Sequence, residues 1–186
     1  MTSNDERGPR AMVLVLASGR GERFRASGGG THKLQALLGG RKVLDHTLDA
    51  VRASGLPWHL EDAGHPGMGD SIAAAVRATV HAPAWLVLPG DLPLISAGTL
   101  LQVAQALAHH AVVVPFHRGQ RGHPVGFAAA CRESLLSLSG ERGAATVIAA
   151  RPPGEVASIE VDDPGSVTDI DTVEDLARAE RILQAR

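Results

Sequence analysis

An apolar strand that runs straight into a glycine-rich loop constrains this chain more than any other feature. Met12–Leu16 (M-V-L-V-L) is followed by A-S-G-R-G-E-R-F-R-A-S-G-G-G-T-H-K, ending at Lys33. Glycine has no Cβ, so at Gly19 and Gly21 backbone N–H groups can approach an anion closely. Arg20, Arg23, Arg25 and Lys33 bring positive charge to the same segment, where a polyphosphate would meet it. The loop fits neither common glycine fingerprint. A dinucleotide-binding turn needs G-x-G-x-x-G, and Phe24 stands at the third glycine. A P-loop needs Gly-Lys-Ser or Gly-Lys-Thr, and the chain contains neither. The segment predicts a nucleotide-triphosphate cradle of another kind.

Further apolar runs at Trp85–Leu88, Ala111–Phe116, Val125–Ala128 and Val156–Val161 predict strands. Between them lie helical patterns. One covers Val43–Ala53 with Gly55 after it, and a second covers Ile72–Val80 behind Asp70 or Ser71 as cap. A third starts at Ser96 and reaches about His110. A fourth, Thr172–Ala185, opens with Asp171 and Glu174 at capping-box spacing. Strands alternating with helices predict a layered α/β domain with a mainly parallel sheet. Residues 11–186 read as one domain behind a disordered lead, 1–10.

Balanced charge, 18 basic against 20 acidic residues, argues against nucleic acid or an anionic membrane as the main partner. Aromatics make up only 3%, leaving few rings to stack on bases. Cys131 is the single cysteine; it reads as a small buried residue in a reducing compartment. The polar first ten residues have no signal-peptide core, and no apolar run reaches the roughly 20 residues of a membrane span. These features predict a soluble, cytoplasmic protein.

Two acidic segments extend the cradle. In L-V-L-P-G-D-L-P-L, Asp91 follows a buried strand on a turn bracketed by glycine and proline. Ligands of open α/β sheets bind outside the carboxyl ends of strands, so this carboxylate and the glycine loop should share one edge. There it could hold Mg²⁺ on a triphosphate, since Mg²⁺ takes one or two carboxylates plus phosphate oxygens; a turn Asp satisfying local N–H groups is the plainer alternative. In D-P-G-S-V-T-D-I-D-T-V-E-D, Asp171 reads as a helix cap, and Asp169 is the better second metal-facing carboxylate. His32, His59 and His65 fall near the same cleft without an assigned catalytic role, and His109-His110 suits a helix end.

L-A-S-G-R-G-E-R-F…K, P-G-M-G-D-S-I, L-P-G-D-L-P, G-Q-R-G-H-P-V, G-E-R-G-A and D-P-G-S-V-T-D-I-D-T-V-E-D occur in that order. From about residue 12 onward the chain thereby resembles the molybdenum cofactor cytidylyltransferases, of the molybdopterin nucleotidyltransferase group. The resemblance implies a Rossmann-like three-layer α/β/α sandwich and Mg²⁺-dependent transfer of CMP from CTP to the phosphate of a pterin cofactor, with release of pyrophosphate. It also implies roles for individual residues. Leu16, Ala17, Ser18, Gly19, Arg20, Gly21, Arg23, Lys33 and Gly90 would hold the nucleotide. Lys33, Arg23 and Asp91 would be catalytic, and Asp91 with Asp169 would bind the metal. Gly67, Met68, Gly69, Asp70, Ser71, Gly122, His123 and Pro124 would border the acceptor, with the N-terminal amides near Ser71 available to its phosphate. A molybdenum hydroxylase or its maturation factor is the implied partner.

The chain departs from that pattern in three places. Arg25–His32 is a longer, glycine-rich insert. Leu56–Pro66 is too short for the strand-helix-strand unit the family has there, since a β-α-β crossover needs about a dozen residues. One strand-helix layer should therefore be missing, leaving a sheet edge that favours homo-oligomerisation or a reshaped acceptor pocket. Ser18 replaces the second alanine of the cytidylyl-type loop, where the guanylyl type has glycine. GTP as donor, a sugar or polyol phosphate as acceptor, and a non-catalytic cofactor carrier stay open as alternatives.

Overall fold

The computed structural model describes residues 10–185, so the expected N-terminal lead lies outside the described residues except for Arg10. The first half of the chain comprises β1 (Met12–Leu16), α1 (Glu22–Ala26), β2 (Leu37–Leu38), β3 (Arg41–Lys42), α2 (Val43–Ser54), β4 (Trp58–Glu61), α3 (Met68–Ala78) and β5 (Ala84–Pro89). The second half adds α4 (Ala97–Ala106), β6 (Val112–His117), β7 (Gln120–Arg121), β8 (Val125–Ala128), α5 (Arg132–Leu136), α6 (Ala145–Ala149), β9 (Val156–Glu160) and α7 (Val173–Gln184).

Strand residues alternate between two apolar layers, because successive side chains point to opposite sheet faces. Val13 and Val15 of β1 pack with Leu48 and Val51 of α2 and with Leu100 and Val103 of α4. Leu14 and Leu16 face the other way, onto Ile72 and Val76 of α3, Phe127 of β8 and Leu135 of α5. A mainly parallel sheet between two helical layers is the α/β architecture the alternating pattern predicts. A third cluster joins Phe24, Leu34 and Leu38 to Ile170 and Ala179. It clamps α7 against the segment that follows the glycine loop.

Topology places the site. The sheet runs β4-β1-β5-β8-β6, with β7 hairpinned on β6 and β9 parallel to it. β1 lies between β4 and β5 and is parallel to both. The chain leaves β1 through α2 to β4, then returns through α3 past β1 to β5. The direction of travel therefore reverses at β1, and a crevice opens beyond the strand ends at such a switch point. Leu16 is in register with Glu61 on one side and Pro89 on the other. Ala17 N–H donates to the Glu61 carbonyl at 2.8 Å and Gly90 N–H to the Leu16 carbonyl at 2.9 Å. The carboxyl ends of β1, β4 and β5 are thus held flush. β8 interrupts the parallel order, pairing antiparallel with both β5 and β6.

The short link after α2 holds one strand, β4, and it is an edge of the sheet. Trp58 on it is 38% exposed, with the Arg52 guanidinium 5.7 Å from the ring centroid.

Three predicted helix starts behave differently. Ser96 caps α4 as expected, its Oγ accepting from Thr99 N–H. α3 begins at Met68 after Gly67, not at Asp70 or Ser71. The last helix is capped by Thr172 in a reciprocal box with Asp175, one residue beyond the predicted Asp171–Glu174 pair. Asp171 is thereby released for another partner.

Asp163 is the buried polar anchor of this region. Its carboxylate accepts from Ser96 N–H (2.9 Å), Thr99 Oγ1–H (2.6 Å) and Gly165 N–H (2.9 Å), tying the turn after β9 to the start of α4. Removing it leaves three donors without their acceptor. Asp163→Ala should lose roughly 2–4 kcal/mol, measured by urea unfolding.

Candidate active site

A cleft of about 350 Å³ opens beyond β1 and β5. Leu16, Ser18, Gly19, Arg20, Gly21, Arg23, Lys33 and Gly90 of the predicted nucleotide set line it; Ala17 does not. Gly21 has φ +63° and forms the N-cap of α1, a left-handed turn that suits glycine. His32 staples this loop. Its Nδ1 accepts from Leu34 N–H, which leaves Nε2 as the donor to the Gly19 carbonyl at 2.6 Å. The long insert is also tied down: Val173 N–H donates to Ser27 Oγ at 3.0 Å, joining it to the first turn of α7.

Charge concentrates on one wall. Lys33 Nζ lies 2.5 Å from Asp91 Oδ2 and 2.8 Å from Asp171 Oδ1. Arg23 reaches Asp171 Oδ2 at 2.6 Å. Burial alone would lower the Lys33 pKa, but the Asp91 and Asp171 carboxylates outweigh it and hold the ammonium above its usual 10.5. Ile170 explains why Asp171 arrives here. Its side chain is fully buried and its N–H donates to the Asp91 carbonyl at 3.0 Å, so its two aspartate neighbours are carried to the strand ends.

Asp169 comes to the same neighbourhood, but it is exposed, does not line the cleft and makes no ion pair among the described residues. Partial burial of its carboxyl raises its pKa, and the negative charges of Asp91 and Asp171 raise it further. Asp171 faces the cleft instead. The missed signal was the D-I-D alternation around a core isoleucine.

The acceptor set divides. Gly67, Met68 and Ser71 line the cleft, where Ser71 Oγ and Ser18 Oγ share a hydrogen bond of 2.5 Å. Gly69 and Asp70 instead hold a neighbouring loop: Gly69 N–H donates to the Gly140 carbonyl, and Asp70 Oδ2 accepts from Gly140 N–H. A Cβ on Gly67 or Gly69 would fall within 3 Å of that loop's backbone. Ser71 N–H is already bonded to the Gly67 carbonyl, so it is not the open phosphate donor that the sequence suggested. Gly122, His123 and Pro124 lie outside the cleft lining; Gly122 packs on Ser166, and His123 N–H donates to the Ser166 carbonyl. Burial and the nearby Arg121 guanidinium push the His123 pKa down to about 4, so the ring is neutral at pH 7.

Glu61 and His65 add a feature sequence reading left unassigned. Glu61, at the end of β4, is 8% exposed and accepts from His65 Nε2 at 2.9 Å and His59 Nε2 at 3.4 Å. His65 lines the cleft beside Ser18 and Pro66.

Asp91 Oδ1 is buried and has no hydrogen-bond partner. An orphaned carboxylate oxygen beside a second carboxylate suits a hard divalent cation with phosphate oxygens completing its shell. Among the described residues no three His, Cys, Asp or Glu side chains already form a metal site.

Residues 50–156, more than half of the chain, match the MobA-like NTP transferase domain. The chain belongs to that family. Full-length likeness extends to the purine catabolism protein PucB of Bacillus subtilis, 26% identical with 95% of this chain and 99% of PucB covered. A 2-C-methyl-D-erythritol 4-phosphate cytidylyltransferase of Frankia casuarinae is 38% identical over 73 residues, spanning 39% of this chain and only 26% of that protein. Among solved structures, Rv0371c of Mycobacterium tuberculosis in complex with manganese superposes with a TM-score of 0.72 at 21% identity, covering 92% of this chain and 98% of that one. Molybdopterin-guanine dinucleotide biosynthesis protein A of Archaeoglobus fulgidus gives 0.69 at 20%, covering 95% and 100%. The two structures establish the fold. This MobA-like chain is a nucleotidyltransferase by family, and none of its described helices is long and apolar enough to cross a membrane.

Proposed function

We propose that this protein transfers CMP from CTP to the phosphate of a molybdopterin-type cofactor and releases pyrophosphate. The observation that supports this reading most is the paired-charge wall beside the glycine loop, Lys33 and Arg23 against Asp91 and Asp171. An acceptor phosphate oxygen attacks the α-phosphorus in line. The new P–O bond forms as the bond to the bridging oxygen breaks, and pyrophosphate leaves with that electron pair. Lys33 offsets charge on the α-phosphate oxygens. The Ser18–Gly21 loop amides with Arg20 and Arg23 grip the leaving group. Mg²⁺ held by Asp91 and Asp171, with Asp169 as an outer carboxylate, would neutralise charge across the phosphates. Catalysis is then positioning and electrostatics, with no covalent enzyme intermediate.

The Ser18 side chain, bonded to Ser71 at the floor of the cleft, favours cytidine over guanosine, because the guanylyl-type loop carries glycine there. The partial likeness to the Frankia cytidylyltransferase favours a second reading, in which the acceptor is a polyol phosphate. Pyrophosphate release measured with CTP, GTP, ATP and UTP, each against molybdopterin and a polyol phosphate, separates them. The highest kcat/KM is expected for CTP with the pterin. Turnover confined to the polyol phosphate would replace the acceptor, and a preference for GTP would replace the base. Tight pterin binding without pyrophosphate release under any nucleotide would make the protein a carrier.

A further inference from the structure

We propose that Lys33 holds the place of the divalent cation until the nucleotide arrives, so that metal and triphosphate bind as coupled ligands. This rests on the nucleotidyltransferase reading, and its test is arranged to fail separately from it.

Three of the four oxygens of Asp91 and Asp171 already face a cation. Asp91 Oδ2 and Asp171 Oδ1 share the Lys33 ammonium, and Asp171 Oδ2 takes Arg23. The fourth, Asp91 Oδ1, is buried and unbonded. Two carboxylates are thus matched by two cations, and a bare divalent ion meets a pair that is already neutralised. To gain both carboxylates, it must displace the ammonium that they share. Lys33 has to move.

A triphosphate changes the balance. Its oxygens, lying against the glycine loop, offer Lys33 and Arg23 new anionic partners. The two cations pass from carboxylate to phosphate, and the two carboxylates are left facing the metal. Lys33, Arg23 and the two carboxylates each keep a partner of opposite charge before and after. The flexible four-carbon stem of lysine permits the swing, whereas a second arginine fork would lock a bidentate pair. By linkage, the factor by which nucleotide tightens metal binding equals the factor by which metal tightens nucleotide binding. Lys33 displacement is the step the two ligands share.

The direct probe is Mn²⁺ titration of the full chain, with free Mn²⁺ read by electron paramagnetic resonance. It is run with and without a CTP analogue whose α–β bridging oxygen is a methylene. For the unmodified protein, the analogue should tighten Mn²⁺ binding about 10-fold or more. Lys33→Met should bind Mn²⁺ alone about 10-fold tighter than the unmodified protein does, and the analogue should then add little. Mn²⁺ should also raise the melting temperature of Lys33→Met more than that of the unmodified protein, since the metal relieves two facing carboxylates.

A second measurement needs no variant. The chain has two lysines, Lys33 and Lys42, so ¹³Cε-lysine labelling gives two assignable signals. The Lys33 signal should stay in place with Mg²⁺ alone, at concentrations where Mg²⁺ with the analogue moves it. Lys33→Met binding Mn²⁺ no tighter than the unmodified protein, or a Lys33 signal unmoved by Mg²⁺ and analogue together, overturns the placeholder. If Mn²⁺ with analogue binds Asp91→Asn as well as it binds the unmodified protein, the metal–nucleotide reading itself falls.

Discussion

Asp91→Asn should lower kcat by about 10³-fold or more, equivalent to ~4 kcal/mol of transition-state stabilisation, while the protein stays folded. The substitution keeps the size of the side chain and removes its charge. Asp91 has a buried carboxylate oxygen in the cleft without a partner, so the charge serves a ligand more than the fold. Its other oxygen pairs with Lys33, but Lys33 keeps Asp171 when Asp91 is neutral. Removing one of three crowded carboxylates also relieves repulsion, the same repulsion that contributes to raising the Asp169 pKa. Stability should therefore change far less than activity, a common trade at functional sites. Single-turnover pyrophosphate release at saturating Mg²⁺, beside urea unfolding of the same variant, checks both halves. Near-normal turnover would remove Asp91 from the metal.

The strands that carry the site were legible because each is a short apolar run bounded by a turn signal. β1 and β5 match their predicted spans within a residue, and a glycine loop after the one and Asp91 after the other follow from the rule for open sheets. What stayed hidden was contact between distant segments. Gly67 and Gly69 looked like ligand-facing glycines, yet a Cβ on either meets the backbone at Ser139–Arg142, some seventy residues on. Asp70 looked like a helix cap and instead holds Gly140. Gly165 is a further case: a Cβ there would overlap the Leu94 carbonyl, so the glycine serves a close backbone crossing. No local pattern announces a neighbour so far along the chain. β4 was hidden for another reason. At four residues, with a tryptophan and two charged or ionisable groups, it has little apolar signal, and its place beside β1 makes it a strand.

The aspartates before α7 offer the sharpest discrimination between pattern and geometry. Asp171-Thr-Val-Glu174 and Thr172-Val-Glu-Asp175 both have capping-box spacing. The first choice makes Asp171 a cap and frees Asp169; the second, which the helix adopts, does the reverse of what matters. Thr172 Oγ1 accepts from Asp175 N–H, and Asp175 Oδ2 accepts from Thr172 N–H. Asp171 then turns both oxygens to Lys33 and Arg23 at the cleft, while Asp169 stays outside its lining. On the proposed chemistry, Asp171→Asn removes a metal-facing charge and the partner that positions Lys33. It should lower kcat by about 10²-fold or more. Asp169→Asn removes a charge that only acts at longer range, and it should cost less than about 10-fold. Because α7 keeps its Thr172–Asp175 box in both variants, neither should lose the helix, and circular dichroism gives that control. The ratio of the two kcat losses is the quantity to measure. Equal losses, or a larger one at Asp169, would restore the outer aspartate as the metal-facing residue and make the Lys33–Asp171 pair a structural ion pair.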